Sequence, residues 1–150
     1  MDFLRLLAAG RCGALDTFFS GLTYFGSEIA FMAAALLIFW CVDKRQGYYV
    51  FLVGALGTVC NQFLKLAFRI PRPWVLDPDF QIVEAARADA TGYSFPSGHT
   101  AASFASVAAL KTANSRLWKP ALALAVVIAL SRLYLYAHWP TDILGGAAVG

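Results

Sequence analysis

Residues 120–142 read PALALAVVIALSRLYLYAHWPTD. The run from Pro120 to Trp139 is almost wholly apolar. At 1.5 Å per helical residue, about 20 residues cross a hydrocarbon core of roughly 30 Å. Yet Arg132 and His138 stand near its end and Asp142 just beyond it. An arginine costs about 2.5–3.5 kcal/mol at the centre of a membrane helix and less near the ends. Such residues face a bundle interior or a water-filled cavity. The stretch therefore predicts a membrane helix that brings polar groups to a cavity at one end.

Composition agrees. The chain has 150 residues, enough for one domain. Apolar residues make up 59% and charged residues 14%, against about 45–50% and 25% in soluble domains. A net charge of +3 is too small for a nucleic-acid binder. Cys12, Cys41 and Cys60 are scattered, without metal or redox spacing, and are expected to pack as small apolar side chains. The start, MDFLRLLAAGRC, has an acid at position 2 and Arg11 close behind its apolar run, so it makes a poor signal peptide.

Three further apolar segments precede that run: IAFMAAALLIFWCV (29–42), GYYVFLVGALGTVCNQFLKLAF (47–68) and GHTAASFASVAALKTA (98–113). The last is short and rich in Ala and Ser, which suits an interior helix in close contact with its neighbours. A fifth helix starts at Pro140 and is cut off at Gly150. Ending there would leave carbonyls without partners in lipid, so the natural chain is expected to continue. Its Gly146 and Gly150 have the small-xxx-small spacing of tight helix packing. In residues 1–24, Arg5, Arg11 and Asp16 interrupt the apolar positions, which favours interfacial amphipathic helices over a further span. DKRQG (43–47) and KTANSRLWK (111–119) are short basic connections. The 70–97 connection is long, acidic and broken by Pro71, Pro73, Pro78, Gly92 and Pro96. The expected fold is an all-α integral membrane bundle with about five spanning helices, the last incomplete, forming a single domain over 1–150.

Tracing these spans brings Lys65, Arg72, residues 96–99 and residues 131–142 to the same side of the membrane. Lys65, Arg72 and Arg132 supply positive charge and donors suited to a phosphate. SFPSGHT precedes a helix, so the amides near Gly98 and His99 form an anion site at its N-terminus, to which Ser97 adds a hydroxyl. The chain's two histidines, His99 and His138, both fall in this cluster. One suits attack on phosphorus, the other protonation of the leaving oxygen. Asp142, four residues after His138, suits holding the imidazole in the tautomer that frees the attacking nitrogen.

KLAFRIPRP (65–73), PSGH (96–99) and SRLYLYAHWPTD (131–142) together resemble the three motifs of the type 2 phosphatidic acid phosphatase family, lipid phosphatases that share an active site with vanadium haloperoxidases. The motifs span 78 residues, and the helix pattern around them matches too. The resemblance implies that His138 is the nucleophile and forms a phosphohistidine, that Asp142 orients and polarises it, and that His99 is the general acid and then the base for water. Lys65, Arg72, Ser97, the Gly98 amide and Arg132 would hold the phosphoryl oxygens. It implies no metal and no cofactor, and the cluster lacks the several carboxylates of a two-metal site.

Plainer roles exist for each residue alone: Ser97 as a helix N-cap, Asp142 as a first-turn acid, Lys65 and Arg132 as snorkelling bases. The joint match of three spacings outweighs them. Arg69 reads as an interface charge and Glu28 as a solvated acid. Trp74, Tyr93, Tyr134, Tyr136 and Trp139 read as an interfacial aromatic belt. The expected function is a metal-independent membrane phosphatase acting on a lipid phosphate or diphosphate, such as phosphatidic acid, phosphatidylglycerol phosphate or an isoprenyl diphosphate. The alternatives are a vanadate-dependent haloperoxidase, which is typically soluble; a lipid phosphotransferase; and a non-catalytic scaffold or transporter, which would release no phosphate. Lys44, Arg45, Lys111, Arg116 and Lys119 lie opposite the cluster, so the cluster is expected to face outward from a bacterial cell membrane.

Overall fold

The computed structural model describes residues 10–77, 81–88, 90–112 and 116–150. Among them every regular element is helical: α1 (Gly13–Thr23), a 3₁₀ turn (Tyr24–Gly26), α2 (Glu28–Cys41), α3 (Lys44–Phe68), α4 (Pro73–Leu76), α5 (Glu84–Arg87), α6 (Gly98–Thr112), α7 (Trp118–Tyr134) and α8 (Pro140–Val149).

The helix boundaries have local causes. Ser27 caps α2 by accepting from the Ala30 amide at 3.2 Å, and Asp43 caps α3 by accepting from Gln46 at 2.8 Å. Because Asp43 is a cap, α3 takes in Lys44 and Arg45, and the expected DKRQG connection shrinks to a tight turn. Helix α3 stops at Arg69, which adopts a left-handed conformation (φ 51) while its Nε donates to the Leu66 carbonyl at 3.0 Å. Pro71 follows and keeps α3 from continuing, and Pro73 takes the first position of the short α4.

Helix α6 is the hub. It packs against α7, α3 and α8, while α2 packs on α3 and α1 on α7. Its Thr100, Ala101, Ser103, Ala105, Val107 and Ala109 are buried, as small residues at close helix contacts must be. The small-xxx-small spacing of α8 is used as expected. A Cβ on Gly146 would lie 2.6 Å from the Ser97 carbonyl, and one on Gly150 would collide with the Ala101 backbone.

The outer surface is apolar. Ile29, Trp40, Phe63 and Leu144 are each at least 70% exposed, and of α3 only Gly47 and Asn61 are buried. An apolar surface this extensive calls for a lipid solvent, and the chain is an integral membrane protein. Cys12, Cys41 and Cys60 are all exposed, not packed inside, because an apolar exterior accommodates a thiol as well as a core does. Among the described residues, only the segment that begins with α3 is by itself long and apolar enough to cross a bilayer. The stretches Gly13–Gly26 and Glu28–Cys41, bent by 49° at their junction, qualify only as a pair. The expected count of five spans is not reached on this measure, since α6, α7 and α8 have 15, 17 and 10 residues.

Helix α7 also ends earlier than its apolar run suggests. It stops at Tyr134, and a turn with Tyr136 at φ 58 folds the chain back so that residues 131–138 are all buried. Tyr134 and Tyr136 are therefore interior, 7% and 1% exposed, and not part of an aromatic belt. The Tyr134 hydroxyl donates to Asp16 of α1 at 2.9 Å. Tyr134 and Leu135 pack with Ile82, Ala86 and Ala90 of the 70–97 connection, with Phe19 and Trp74 at the edge. That small core pins the long connection over the end of α7. Arg5, Asp79, Asp89 and Ser115 lie outside the described residues.

Candidate active site

The short turn after α7 places His138 at the centre of a buried polar cluster. Pro140 at the first position of α8 then starts a helix whose third residue is Asp142. Asp142 Oδ2 accepts from the Trp139 amide at 2.8 Å, which caps α8, and also faces His138 Nδ1 at 3.2 Å. One carboxylate therefore both starts the helix and orients the imidazole. With Nδ1 engaged, Nε2 is the available nitrogen. It stands 3.5 Å from Arg72 Nη1. His138 is 2% exposed. Burial, reinforced by the charges of Arg132, Arg72 and Lys65, pushes its pKa well below the ordinary histidine value, so the resting ring is neutral.

Arg72 is 3% exposed and held almost entirely by backbone. Its Nε donates to Gly92 O at 3.0 Å, Nη2 to Thr91 O at 2.6 Å and Nη1 to Ala137 O at 2.9 Å. The planar fork ties the long connection to the His138 turn and points one edge at the imidazole. Arg132, fully buried on the last turn of α7, donates from Nη1 to Thr23 Oγ1 at the end of α1, 3.0 Å away. Lys65 lies half-buried on the last turn of α3, in the electrostatic field of Arg72, Arg132, Asp142 and Glu28. Glu28, expected to be merely solvated, is exposed but acts on Lys65.

The fourth side of the cluster is the start of α6. Ser97 is buried; its amide donates to Asp142 O at 3.0 Å and its hydroxyl accepts from the Thr100 hydroxyl at 3.0 Å. Gly98 and His99 open the helix, with the amide-rich end directed to the cluster. The His99 side chain interacts electrostatically with Arg132, His138, Lys65 and Arg72, and its buried Nε2 has no hydrogen-bond partner among the described residues. All eight sequence-predicted site residues thus meet in one place. Among the described residues of the cluster, three cations outnumber one buried carboxylate, Asp142. A buried excess of positive charge is costly until an anion offsets it, so the cluster suits a phosphate.

Three contributors escaped the sequence reading. Ser94 donates its hydroxyl to Asp142 Oδ2. Asn61 donates to Pro96 O at 3.4 Å; as a polar residue one turn before Lys65 in an apolar helix, it carried a detectable signal. Thr23, 109 positions from Arg132, carried none.

Comparison with known proteins fits this geometry. The PAP2 superfamily pattern matches residues 46–150, which include all three motifs. Undecaprenyl-diphosphatase BcrC of Bacillus subtilis is 30% identical over 131 residues, covering 83% of this chain and 66% of that protein. Putative undecaprenyl-diphosphatase YbjG of Escherichia coli is 42% identical over 123 residues, covering 79% of this chain and 60% of that protein. The chain thus spans just under two thirds of the length of these relatives. The crystal structure of a transmembrane PAP2 type phosphatidylglycerolphosphate phosphatase from Bacillus subtilis has the same fold, with a TM-score of 0.80 at 23% identity over 97% of this chain and 76% of that one. In motifs, in helix arrangement and in the matched pattern alike, this chain belongs to the PAP2 superfamily.

Proposed function

We propose that this protein is a membrane phosphatase that hydrolyses the terminal phosphate of a lipid phosphate or diphosphate through a phosphohistidine on His138. The observation that carries the proposal is the buried His138, with Nδ1 on Asp142 and Nε2 facing Arg72. The Nε2 lone pair forms a bond to phosphorus as the P–O bond to the lipid breaks. The electron pair of that bond goes to the departing oxygen, which takes a proton from His99. Lys65, Arg72, Arg132, Ser97 and the Gly98 amide hold the phosphoryl oxygens and offset their charge. His99 stands among cations, and the bound phosphate supplies the negative charge that favours its protonated form. A water molecule then attacks phosphorus, gives its proton to His99 and frees His138, so that the cycle balances.

A lipid substrate is supported by an apolar groove of about 700 Å³ that runs from Gly98 and Asn61 between α2, α3 and α6, lined by Phe31, Phe51, Leu64 and Ala102. Among lipids, an isoprenyl diphosphate is favoured by the two relatives named undecaprenyl-diphosphatases. The outward orientation rests on the placement of bases. Lys44 and Arg45 open α3, about 30 Å from Lys65 at helical rise, and Lys111, Arg116 and Lys119 flank the α6–α7 connection, which supports a cytoplasmic placement of that end.

The test is phosphate release by purified protein in detergent micelles from a panel of lipid phosphates, with acid-labile, alkali-stable labelling by substrate carrying radioactive terminal phosphate. The wild type is expected to release phosphate and to carry the label, while His138→Ala does neither. Release without any histidine label, or activity surviving in His138→Ala, refutes the mechanism; no release from any lipid refutes the function.

A further inference from the structure

Ser94 lies outside all three motifs, yet it is fully buried against the reacting groups. Its amide donates to Ile70 O at 2.8 Å and its hydroxyl donates to Asp142 Oδ2. The same short segment offers the Thr91 and Gly92 carbonyls to Arg72. Residues 91–94 therefore hold the carboxylate that faces His138 and one phosphate-directed arginine at once. We propose that Ser94 is a positioning residue of the reaction: its hydroxyl fixes Asp142 in the orientation and charge state that hold His138 for attack. The inference rests on the phosphatase reading and deepens it.

Three donors converge on Asp142 Oδ2, namely the Trp139 amide, His138 Nδ1 and the Ser94 hydroxyl. The first starts a helix and the second is the group being oriented. Ser94 alone is free to serve the carboxylate. Asp142 is fully buried, and a buried carboxylate keeps its charge only where donors and cations replace water. The charged groups facing it are Lys65 of α3 and Arg72 of the 70–97 connection, with His138 beside it. When Nε2 bonds to phosphorus, the ring keeps its Nδ1 proton and gains positive charge, which Asp142 must balance as an anion. Loss of the Ser94 donor leaves the carboxylate easier to protonate and the ring freer to turn.

The hydrogen bonds of Ser94 go to Ile70 O and Asp142 Oδ2 and not to the phosphate-holding groups, so its removal is expected to separate turnover from binding. Ser94→Ala is expected to lower kcat roughly 10- to 100-fold, as for loss of a hydrogen bond to a charged group, while KM stays near the wild-type value. The acid limb of its kcat profile moves to higher pH, because loss of a donor to the charged form raises the carboxylate pKa. Ser94→Thr, which keeps the hydroxyl, restores both quantities. Ser94→Cys, of similar size with only a weak S–H donor, falls between Ala and wild type. Wild-type kcat in Ser94→Ala, an unmoved acid limb, or no rescue by Thr overturns the role of Ser94. A wild type that releases no phosphate from any lipid overturns the phosphatase reading itself, a different result from any of these.

Discussion

Gly146 is the point at which helix packing and chemistry meet. A methyl group there would sit 2.6 Å from the Ser97 carbonyl oxygen, 3.0 Å from Thr100 Cβ and 3.4 Å from the Ala101 amide. Carbon and carbonyl oxygen approach to about 3.3 Å at closest, so Gly146→Ala must push α8 from α6 by roughly 0.7 Å. That displacement acts on the bond from the Ser97 amide to Asp142 O, now 3.0 Å long. It would stretch to about 3.7 Å, beyond hydrogen-bond range. Overpacking of this kind costs about 1–3 kcal/mol, which leaves a folded protein. The catalytic cost is larger in proportion. Asp142 rides on α8 and Ser97 on the α6 side, and misplacing reacting groups by about 1 Å lowers rates by on the order of 100-fold. Gly146→Ala should therefore lower kcat between roughly 10- and 100-fold while thermal unfolding in detergent stays cooperative. Gly21→Ala, where a methyl would meet nothing within 4 Å, is the matched control. The assay is steady-state phosphate release from a lipid phosphate. Wild-type kcat in folded Gly146→Ala would refute the coupling of α8 packing to Asp142 placement.

Three other outcomes are expected. His138 has its pKa pushed down by burial and by Arg132, Arg72 and Lys65, so it loses its proton at lower pH than an ordinary histidine; kcat/KM should hold its plateau below pH about 6.5, and a limb centred there argues against a buried neutral nucleophile. Gly57 lines the apolar groove with open space at its Cβ position; Gly57→Leu should raise KM several-fold for a long-chain lipid phosphate while p-nitrophenyl phosphate turnover is unchanged, since a buried side chain of this size is worth about 1.5–3 kcal/mol, and equal effects on both substrates count against the groove. With Cys12, Cys41 and Cys60 replaced, a cysteine at Tyr93 should react in intact cells with a membrane-impermeant thiol reagent and one at Arg116 should not; the reverse pattern inverts the orientation.

The residues proposed to do the chemistry were legible because their types and spacings are fixed by that chemistry. Lys65, Arg72, His99, Arg132, His138 and Asp142 have few substitutes, and the three motifs delivered them to one place. The end of α7 was not legible, because the apolar run continues through Leu135 to Trp139 while the chain turns at Tyr136. Tyr134 and Tyr136 looked like interfacial aromatics for the same reason; their burial depends on α1 and the 70–97 connection packing over them. The Asp43 cap was present in the sequence but was hidden among basic neighbours. Ser94 and Thr23 act through partners 48 and 109 positions away, and no local pattern reports such a pairing.

The apolar exterior of α2 and α3 has a kinetic consequence. A protein whose outward side chains are Ile29, Leu37, Trp40, Val59 and Phe63 shares its solvent with any lipid it acts on. For the proposed lipid phosphatase, encounters then take place in the plane of a sheet, and the variable that sets the rate is the mole fraction of phosphorylated lipid among its neighbours. Adding inert lipid or detergent at constant total substrate thins that two-dimensional supply and slows turnover, although no molecule has left the tube.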